Sequence, residues 1–447
     1  MDVADLVGLG PTALAPLLSE RQVSARELAV ATLSAVERAD AQVNAVVDLL
    51  ADEAFDAADE ADRRLAAGER APLLGVPIAV KNDLDVAGRV SRHGSLAATR
   101  PAPADGPLVR RLKEAGAVPV ASTTLPELAI FGFTESRATG ITRNPHALEH
   151  TPGGSSGGSA ALVAAGALGL ATAADGAGSI RIPAACCGLV GFKPTLGPIP
   201  DSGSWLGLST QGCVTRTVAD TARYLDAVGM SGMVDATGAD PAPLRIGLAT
   251  NGATIGRAPS LHGDVRQAVA HVGSLLSDAG HDVREVTVPY DRDSRAFIAR
   301  YLGGVAEVAG SLAAPDRLEP RTKRIVRMGR AFGPRAIEWS RRAGDRFGAT
   351  VHDRLGVDVL LTPVMSGRVI KVGHFDGKGA LRTLVSMNGV YPYTAQWNHA
   401  NVPAVSVPVG ATRKGLPLAA QLIGRRGDDA RLMSLTTQVE RLLTVGP

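Results

Sequence analysis

Several residue types are scarce in this chain, and each scarcity excludes a class of protein. Only three of the 447 residues are cysteines, Cys186, Cys187 and Cys213, and they show no CxxC or Cys/His ligand spacing. They are too few for a disulfide framework, so we expect a reduced, cytoplasmic environment and no metal site. Aromatic residues make up 4% of the chain, which argues against a pocket built from several stacked rings.

Long apolar runs and blocks of like charge are also missing. The longest stretch of low polarity, residues 160–174, has 15 residues, whereas about 20 are needed to span a bilayer. Asp2 and Asp5 lie where an export signal would need positive charge. The 47 basic and 44 acidic residues leave a net charge of +3, spread along the chain. Neither a membrane nor a nucleic acid is therefore expected as a partner.

Helical and strand-like segments alternate along most of the chain. Apolar residues at helical spacing predict two or three helices over residues 12–66, and residues 76–80 form a β-branched run typical of a buried strand. A helix over 108–115, a strand over 118–122 and a helix over 125–131 follow. Further strands are predicted over 244–248, 283–288, 358–362 and 404–408, with a helix over 264–279. This alternation predicts an α/β fold in one large domain, with residues 235–243 as a surface excursion.

Two glycine-rich segments flank one short helix and strand. Residues 151–159 lead into a helix predicted over 159–165, a strand over 167–174 comes next, and residues 175–181 form the second turn. No lysine follows either segment as a phosphate-binding loop requires, and Arg181 occupies the third glycine position of a dinucleotide fingerprint. Turns that need positive φ would explain the glycines but not the serines.

Ser179 follows glycines whose exposed N–H groups are the donors that stabilise an oxyanion in acyl transfer. A nucleophilic serine needs a base, yet none of the nine histidines lies in a motif, and Ser179 is not in a GxSxG elbow. Lys81 is the other candidate base, and it ends the apolar strand. In a chain with 7 lysines and 40 arginines, a lysine at this position suggests proton chemistry that arginine cannot do. A lysine that merely reaches solvent from a strand end is the alternative interpretation.

Five ordered motifs resemble those of the amidase signature family. They are Gly75-Val-Pro-Ile-Ala-Val-Lys81, Thr142-Arg-Asn-Pro145, Gly153-Gly-Ser-Ser-Gly-Gly-Ser159, Asp175-Gly-Ala-Gly-Ser-Ile-Arg-Ile-Pro183 and Gly191-Phe-Lys-Pro-Thr195. The resemblance covers nearly the whole chain and is weakest over residues 234–356. It implies a single α/β/α domain over residues 1–447, built on a twisted mixed sheet, with a signature core at about 70–225. It also implies an enzyme that hydrolyses C–N bonds of carboxylic amides without metal or organic cofactor.

The same resemblance implies a role for each site residue. Ser179 matches the nucleophile, Ser155 the bridging serine after a cis peptide bond, and Lys81 the base. The N–H groups of Gly176, Ala177, Gly178 and Ser179 are expected to hold the oxyanion, and Ser156, Asp175 and Arg181 to orient the loops. Ala177 departs from the family's usual glycine; it is tolerated if its φ stays negative.

Other functions and the pocket remain open at this point. The chain also resembles the glutaminase subunit of a tRNA-dependent amidotransferase, and a catalytically dead binding protein is a third possibility. The expected partner is a small-molecule amide, with the protein a monomer or homodimer. Phe131, Phe133, Trp205 and Trp397 are candidate pocket residues, with core packing as the alternative.

Overall fold

One eleven-stranded sheet organises the structure. The structure is a computed structural model that describes residues 2–254 and 260–445, so positions 1, 255–259 and 446–447 of the predicted domain lie outside the described residues. The strands are β1 (Val46–Leu49), β2 (Pro77–Lys81), β3 (Val118–Thr123), β4 (Glu135–Ser136), β5 (Gly140–Ile141), β6 (Leu170–Asp175), β7 (Val190–Lys193), β8 (Thr210–Thr215), β9 (Arg245–Leu248), β10 (Asp282–Glu285), β11 (Val359–Pro363), β12 (Ala404–Ala411) and β13 (Pro417–Ile423).

Helices cover this sheet and fill the long connections. They are α1 (Val3–Leu6), α2 (Pro11–Ser19), α3 (Ala25–Val43), α4 (Ala51–Ala66), α5 (Pro107–Glu114), α6 (Gly157–Ala164), α7 (Arg181–Cys187), α8 (Ser204–Gly207), α9 (Val218–Ala227), α10 (Met233–Ala236), α11 (Gly263–Asp278), α12 (Arg292–Arg295), α13 (Phe297–Ser311), α14 (Pro320–Gly329), α15 (Pro334–Leu355), α16 (Ala380–Val390), α17 (Ala395–His399) and α18 (Asp429–Val445). None of the helices within the described ranges is both long and apolar enough to cross a membrane.

The sheet is mixed, with strand order β1-β3-β2-β6-β8-β7-β12-β13-β11-β9-β10, while β4 and β5 pair separately. Strand β2 runs parallel to β3 and β6, and β9 runs parallel to β10 and β11. The remaining pairs of the large sheet are antiparallel. A single α/β domain with a large mixed sheet is the fold class that the sequence predicted.

The strand register brings the two predicted functional segments together. Strand β2 is buried along its whole length and pairs with β6 through Ala79 and Ala171. Because the carboxyl ends of parallel strands meet at one edge of a sheet, Lys81 at the end of β2 lies on the same side as Asp175 at the end of β6. The glycine-rich segments 151–159 and 175–181 also meet there, through a hydrogen bond from Ser156 N–H to Ser179 O (3.3 Å).

Two of the predicted elements differ from the structure in an instructive way. The predicted helix over residues 125–131 is wrong: the segment holds only a 3₁₀ turn at Glu127–Ala129, with Leu128 at a φ of +52°. Tertiary contacts outweigh its helical composition, because the Glu127 carboxylate accepts hydrogen bonds from Ser95 and from Glu319 N–H. The predicted helix over 159–165 begins two residues earlier, at Gly157.

Candidate active site

Lys81 is held at the buried end of β2. Its side chain is 1% exposed, and its backbone N–H donates to Thr172 Oγ1 (2.8 Å) on the neighbouring strand β6. The Nζ atom donates to Ser155 Oγ at 3.0 Å and lies 3.0 Å from Asp83 Oδ2. A buried amine that contacts both a hydroxyl and a carboxylate can pass a proton between them.

The loop that carries Ser155 requires glycine at the two positions before it, Gly153 and Gly154. The peptide bond between Gly154 and Ser155 is cis, as the family resemblance implied, and Gly153 has a φ of +82°. A Cβ on Gly154 would lie 2.6 Å from the carbonyl oxygen of Phe131, so a side chain there would collide with backbone. The loop is therefore packed against the segment around Phe131, and this close packing fixes Ser155 opposite Lys81.

Ser179 lies on the second loop, between the end of β6 and the start of α7. Within the described part of the chain, its hydroxyl makes no hydrogen bond, so the contact from Ser155 to Ser179 is not closed here. Hydrogen bonds of this kind are often loose in a free enzyme and tighten only with substrate. Ser156, whose N–H donates to Ser179 O, also exchanges hydrogen bonds with the backbone of Ala174 through its hydroxyl, at 3.3 and 3.4 Å.

The N–H groups of the Ser179 loop divide into two sets. Those of Gly176, Ala177 and Ser179 have no hydrogen-bond partner among the described residues. That of Gly178, expected to face an oxyanion, donates instead to Asp175 Oδ1 (2.5 Å), since a short carboxylate three residues earlier reaches it easily. Ala177 is not among the residues with positive φ, so its methyl group introduces no backbone strain.

A buried ion pair anchors this loop. Asp175 and Arg181 are both fully buried, and the guanidinium donates to both carboxylate oxygens, at 2.9 and 3.0 Å. Burial opposes ionisation of Asp175, but the adjacent charge and hydrogen bonds of Arg181 outweigh it and hold the pKa of this carboxyl well below its ordinary value. Arg181 also donates to three acceptors from the C-terminal part of the chain, Thr394 O (3.0 Å), Asn398 Oδ1 (2.6 Å) and Gln421 Oε1 (2.7 Å).

A cavity of about 760 Å³ lies in front of these loops. Lys81, Ser155, Ser179, Gly176 and Ala177 all contribute to its wall. Of the four aromatic residues predicted for the pocket, Phe131 and Trp205 line it. Phe133 stacks on Phe131 and Phe375 in the core, and Trp397 packs on Phe347 and is fully buried.

Four residues at this site had no role in the sequence-based prediction. They are Asp83, Thr394, Asn398 and Gln421. Asp83 is two residues after Lys81, but nothing in the sequence shows that its carboxylate turns back toward Nζ. The other three are more than 200 residues away from Arg181 along the chain, and no local pattern connects them to it.

Polar groups in the cavity do not form a recognisable metal site. Among residues 2–254 and 260–445, no group of three or more His, Cys, Asp and Glu side chains could hold a metal ion. His93 also lines the cavity, where burial lowers the pKa of its imidazole and so favours the neutral ring.

Known proteins that resemble this chain include amidases and related enzymes. The family model for Amidase matches residues 27–433. AmiB2, a candidate amidase of Mycobacterium tuberculosis, is 41% identical over 98% of this chain and 97% of its own length. A glutamyl-tRNA(Gln) amidotransferase subunit from a Geobacter species is 32% identical over 95% of each chain. The structure of 6-aminohexanoate cyclic dimer hydrolase complexed with substrate superimposes with a TM-score of 0.85 at 26% identity, covering 99% of this chain and 98% of that one.

Proposed function

The chain belongs to the amidase signature family, and on that premise we propose that it hydrolyses the C–N bond of a carboxylic amide through an acyl-enzyme on Ser179. One observation carries the proposal: the 3.0 Å hydrogen bond between Lys81 and Ser155, buried beside Ser179 in the wall of a cavity. A relay of this kind activates a hydroxyl without histidine or metal.

The relay moves one proton in each direction. In acylation, the neutral Lys81 amine takes the proton of Ser155, Ser155 takes the proton of Ser179, and Ser179 Oγ attacks the carbonyl carbon. As the tetrahedral intermediate collapses, the same proton returns through Ser155 to the leaving nitrogen, and the C–N bond breaks. Water then repeats the sequence on the ester, which releases the acid and regenerates Ser179.

Asp83 extends this relay by one residue. When Lys81 accepts the proton, its ammonium would form an ion pair with the carboxylate 3.0 Å away. We assign to Asp83 the part that an aspartate has beside a catalytic histidine: it orients the base and stabilises its charged form.

The oxyanion would be held by backbone groups of the Ser179 loop. The N–H groups of Gly176, Ala177 and Ser179 have no acceptor within residues 2–254 and 260–445 and can donate to a substrate, whereas that of Gly178 holds the turn together through Asp175. Each donor of an oxyanion hole contributes about 10²–10³ in rate, because it meets charge that develops only in the transition state.

The glutaminase subunit of an amidotransferase is the alternative function. Its support is weaker, since the chain is 32% identical to a protein of that kind and 41% identical to a candidate amidase. Glutamine hydrolysis, measured with and without cell extract, separates the two functions. Activity that requires both glutamine and a partner from the extract would favour the alternative.

A fluorophosphonate probe tests the proposed nucleophile directly. The protein should be labelled stoichiometrically at Ser179, and Ser179→Ala should abolish both labelling and the release of ammonia or amine from a panel of aliphatic, aryl and amino-acid amides. Labelling that persists in Ser179→Ala would show that the nucleophile is another residue.

A further inference from the structure

An aromatic wall leads away from the Ser179 loop. A Cβ on Gly176 would lie 3.7 Å from the Trp205 ring, so this ring touches the loop that carries the free N–H groups. Trp205 meets Tyr301 edge-on at 5.3 Å, and Tyr301 meets Phe297 at 5.2 Å between ring centroids. All three rings line the cavity, and Ile298, 39% exposed, continues the wall to the surface.

Helix α16 lines the same space. Its residues Leu381, Leu384, Val385 and Asn388 follow the i, i+3, i+4, i+7 spacing of one helix face, and all four line the cavity. Leu381 is 63% exposed and Val385 39% exposed, so this apolar face is not covered by the described part of the protein. Other apolar side chains that line the cavity are Ile130, Leu302, Val308 and Met328.

The cavity wall near Lys81 has the opposite character. Asp83, Asp85 and His93 line the cavity there, and Asp83 Oδ2 lies 3.0 Å from Lys81 Nζ. Asp201 lies beside Asp85 across Gly106, because a Cβ on this glycine would be 3.6 Å from both side chains. Three carboxylates and one imidazole thus lie on this side, where Leu84 and Pro107 are the neighbouring apolar residues of the wall.

The chemistry of the relay decides which part of a substrate meets which side. The leaving nitrogen receives its proton from Ser155, so it must lie toward Ser155 and Lys81. In the proposed mechanism the carbonyl oxygen accepts from the N–H groups of Gly176, Ala177 and Ser179. The acyl substituent is then left with the space bounded by Trp205 and helix α16.

We propose that the substrate is an amide with a bulky apolar acyl group and a small, polar amine side, and that Leu381, Leu384 and Val385 select for the acyl group. This inference rests on the proposed function. Each added methylene of the acyl chain buries more apolar surface in this chamber, so kcat/KM should rise about fourfold per methylene until the space is filled. An apolar substituent on the nitrogen gains nothing on the polar side.

Two substrate series test the orientation. In the first, primary amides from acetamide to octanamide share ammonia as the leaving group, and kcat/KM should rise about fourfold per methylene. In the second, the acyl group is fixed as hexanoyl and the amine is lengthened, and kcat/KM should fall or stay level. A rise in the second series without one in the first would overturn the proposal. If no amide in either series is hydrolysed, the proposed function itself fails, whereas equal turnover of acetamide and octanamide defeats only the acyl preference.

Variants of α16 test the residues. Leu384→Trp fills the chamber, so the octanamide to acetamide ratio of kcat/KM should fall at least about tenfold, from the loss of two or more buried methylenes. Arg382→Trp is the matched control, because Arg382 is exposed on the same helix but outside the cavity wall; its ratio should equal that of the wild type. If Leu384→Trp loses acetamide hydrolysis through misfolding, Leu381→Asp places a charge at an exposed position of the rim and should lower the ratio likewise. An unchanged ratio in a folded variant would overturn the assignment.

Discussion

Replacing Arg181 by alanine tests how the loop that carries Ser179 is held in place. The substitution removes a fully buried guanidinium and leaves the Asp175 carboxylate buried without its counter-ion. Breaking a buried ion pair in this way costs about 3–5 kcal/mol in the free energy of unfolding. With about 2.1 cal/mol/K of unfolding entropy per residue over 447 residues, the melting temperature should fall by about 3–5 °C.

The matched control is Arg341→Ala, in an exposed ion-pair group with Glu338 and Asp345. Exposed pairs contribute about 0–1 kcal/mol, so this variant should lose no more than about 1 °C. Activity separates the two variants further. Displacing the Ser179 loop by about 1 Å should cost Arg181→Ala about 100-fold in kcat/KM, and Arg341→Ala should keep the wild-type value.

The dependence of the stability deficit on pH identifies its cause. In the wild type Arg181 holds the pKa of Asp175 low. The ion pair therefore contributes fully to the free energy of unfolding above the unfolded-state pKa of about 3.9, and this contribution is lost as the pH falls toward the folded-state pKa. In Arg181→Ala the charge of Lys193 and the hydrogen bond from Asn398 remain, but the largest influence that opposed burial is gone, and burial favours the protonated acid. The deficit of Arg181→Ala should therefore be largest at neutral pH and shrink below about pH 4. Equal melting temperatures for the Arg181 and Arg341 variants, or a deficit that grows in acid, would refute this reasoning.

Three further predictions concern the proton relay. Ser155→Ala should keep the wild-type melting temperature but acylate about 10²–10⁴-fold more slowly in single-turnover assays; activity within twofold of wild type would contradict the relay. Lys81→Arg should lose at least about 100-fold in kcat/KM between pH 7 and 9, since a guanidinium cannot become a base, and a retained rate and pH profile would place the base elsewhere. Asp83→Asn should lower kcat/KM at alkaline pH by about 10–100-fold, the contribution of one charged hydrogen bond, whereas Asp353→Asn, at an exposed carboxylate paired with Arg425 outside the cavity wall, should leave it within twofold.

The parts of the site that lie on regular elements could be predicted from the sequence. The continuous apolar run before Lys81 fixes a buried strand, and its end places the amine at one edge of the sheet. The glycines before Ser155 and Ser179 likewise mark loops in which backbone approaches backbone. Gly154 in particular has no room for a Cβ. In these cases a short stretch of sequence contains the physical cause of the structure.

The parts of the site that depend on distant contacts could not be predicted from the sequence. Nothing local shows that Asp83 turns its carboxylate toward Lys81, or that Gly178 donates its N–H to Asp175 instead of to a substrate. The wrong helix over residues 125–131 has the same origin, because Glu127 is held by Ser95 from another loop. In each case a contact between separate segments overrides a plausible local preference.

The long-range bonds of Arg181 have a consequence for the synthesis of the chain. Its acceptors at Thr394, Asn398 and Gln421 follow 213, 217 and 240 residues later. At about 5–20 residues per second, a ribosome needs about 12–48 s to travel the longest of these separations. Ser179, Ser155 and Lys81 are thus all exposed on the nascent chain long before the residues that lock the nucleophile loop exist. The loop that carries Ser179 therefore cannot make these bonds until most of the chain has been translated, and we expect the proposed activity only after the last strands have joined the sheet.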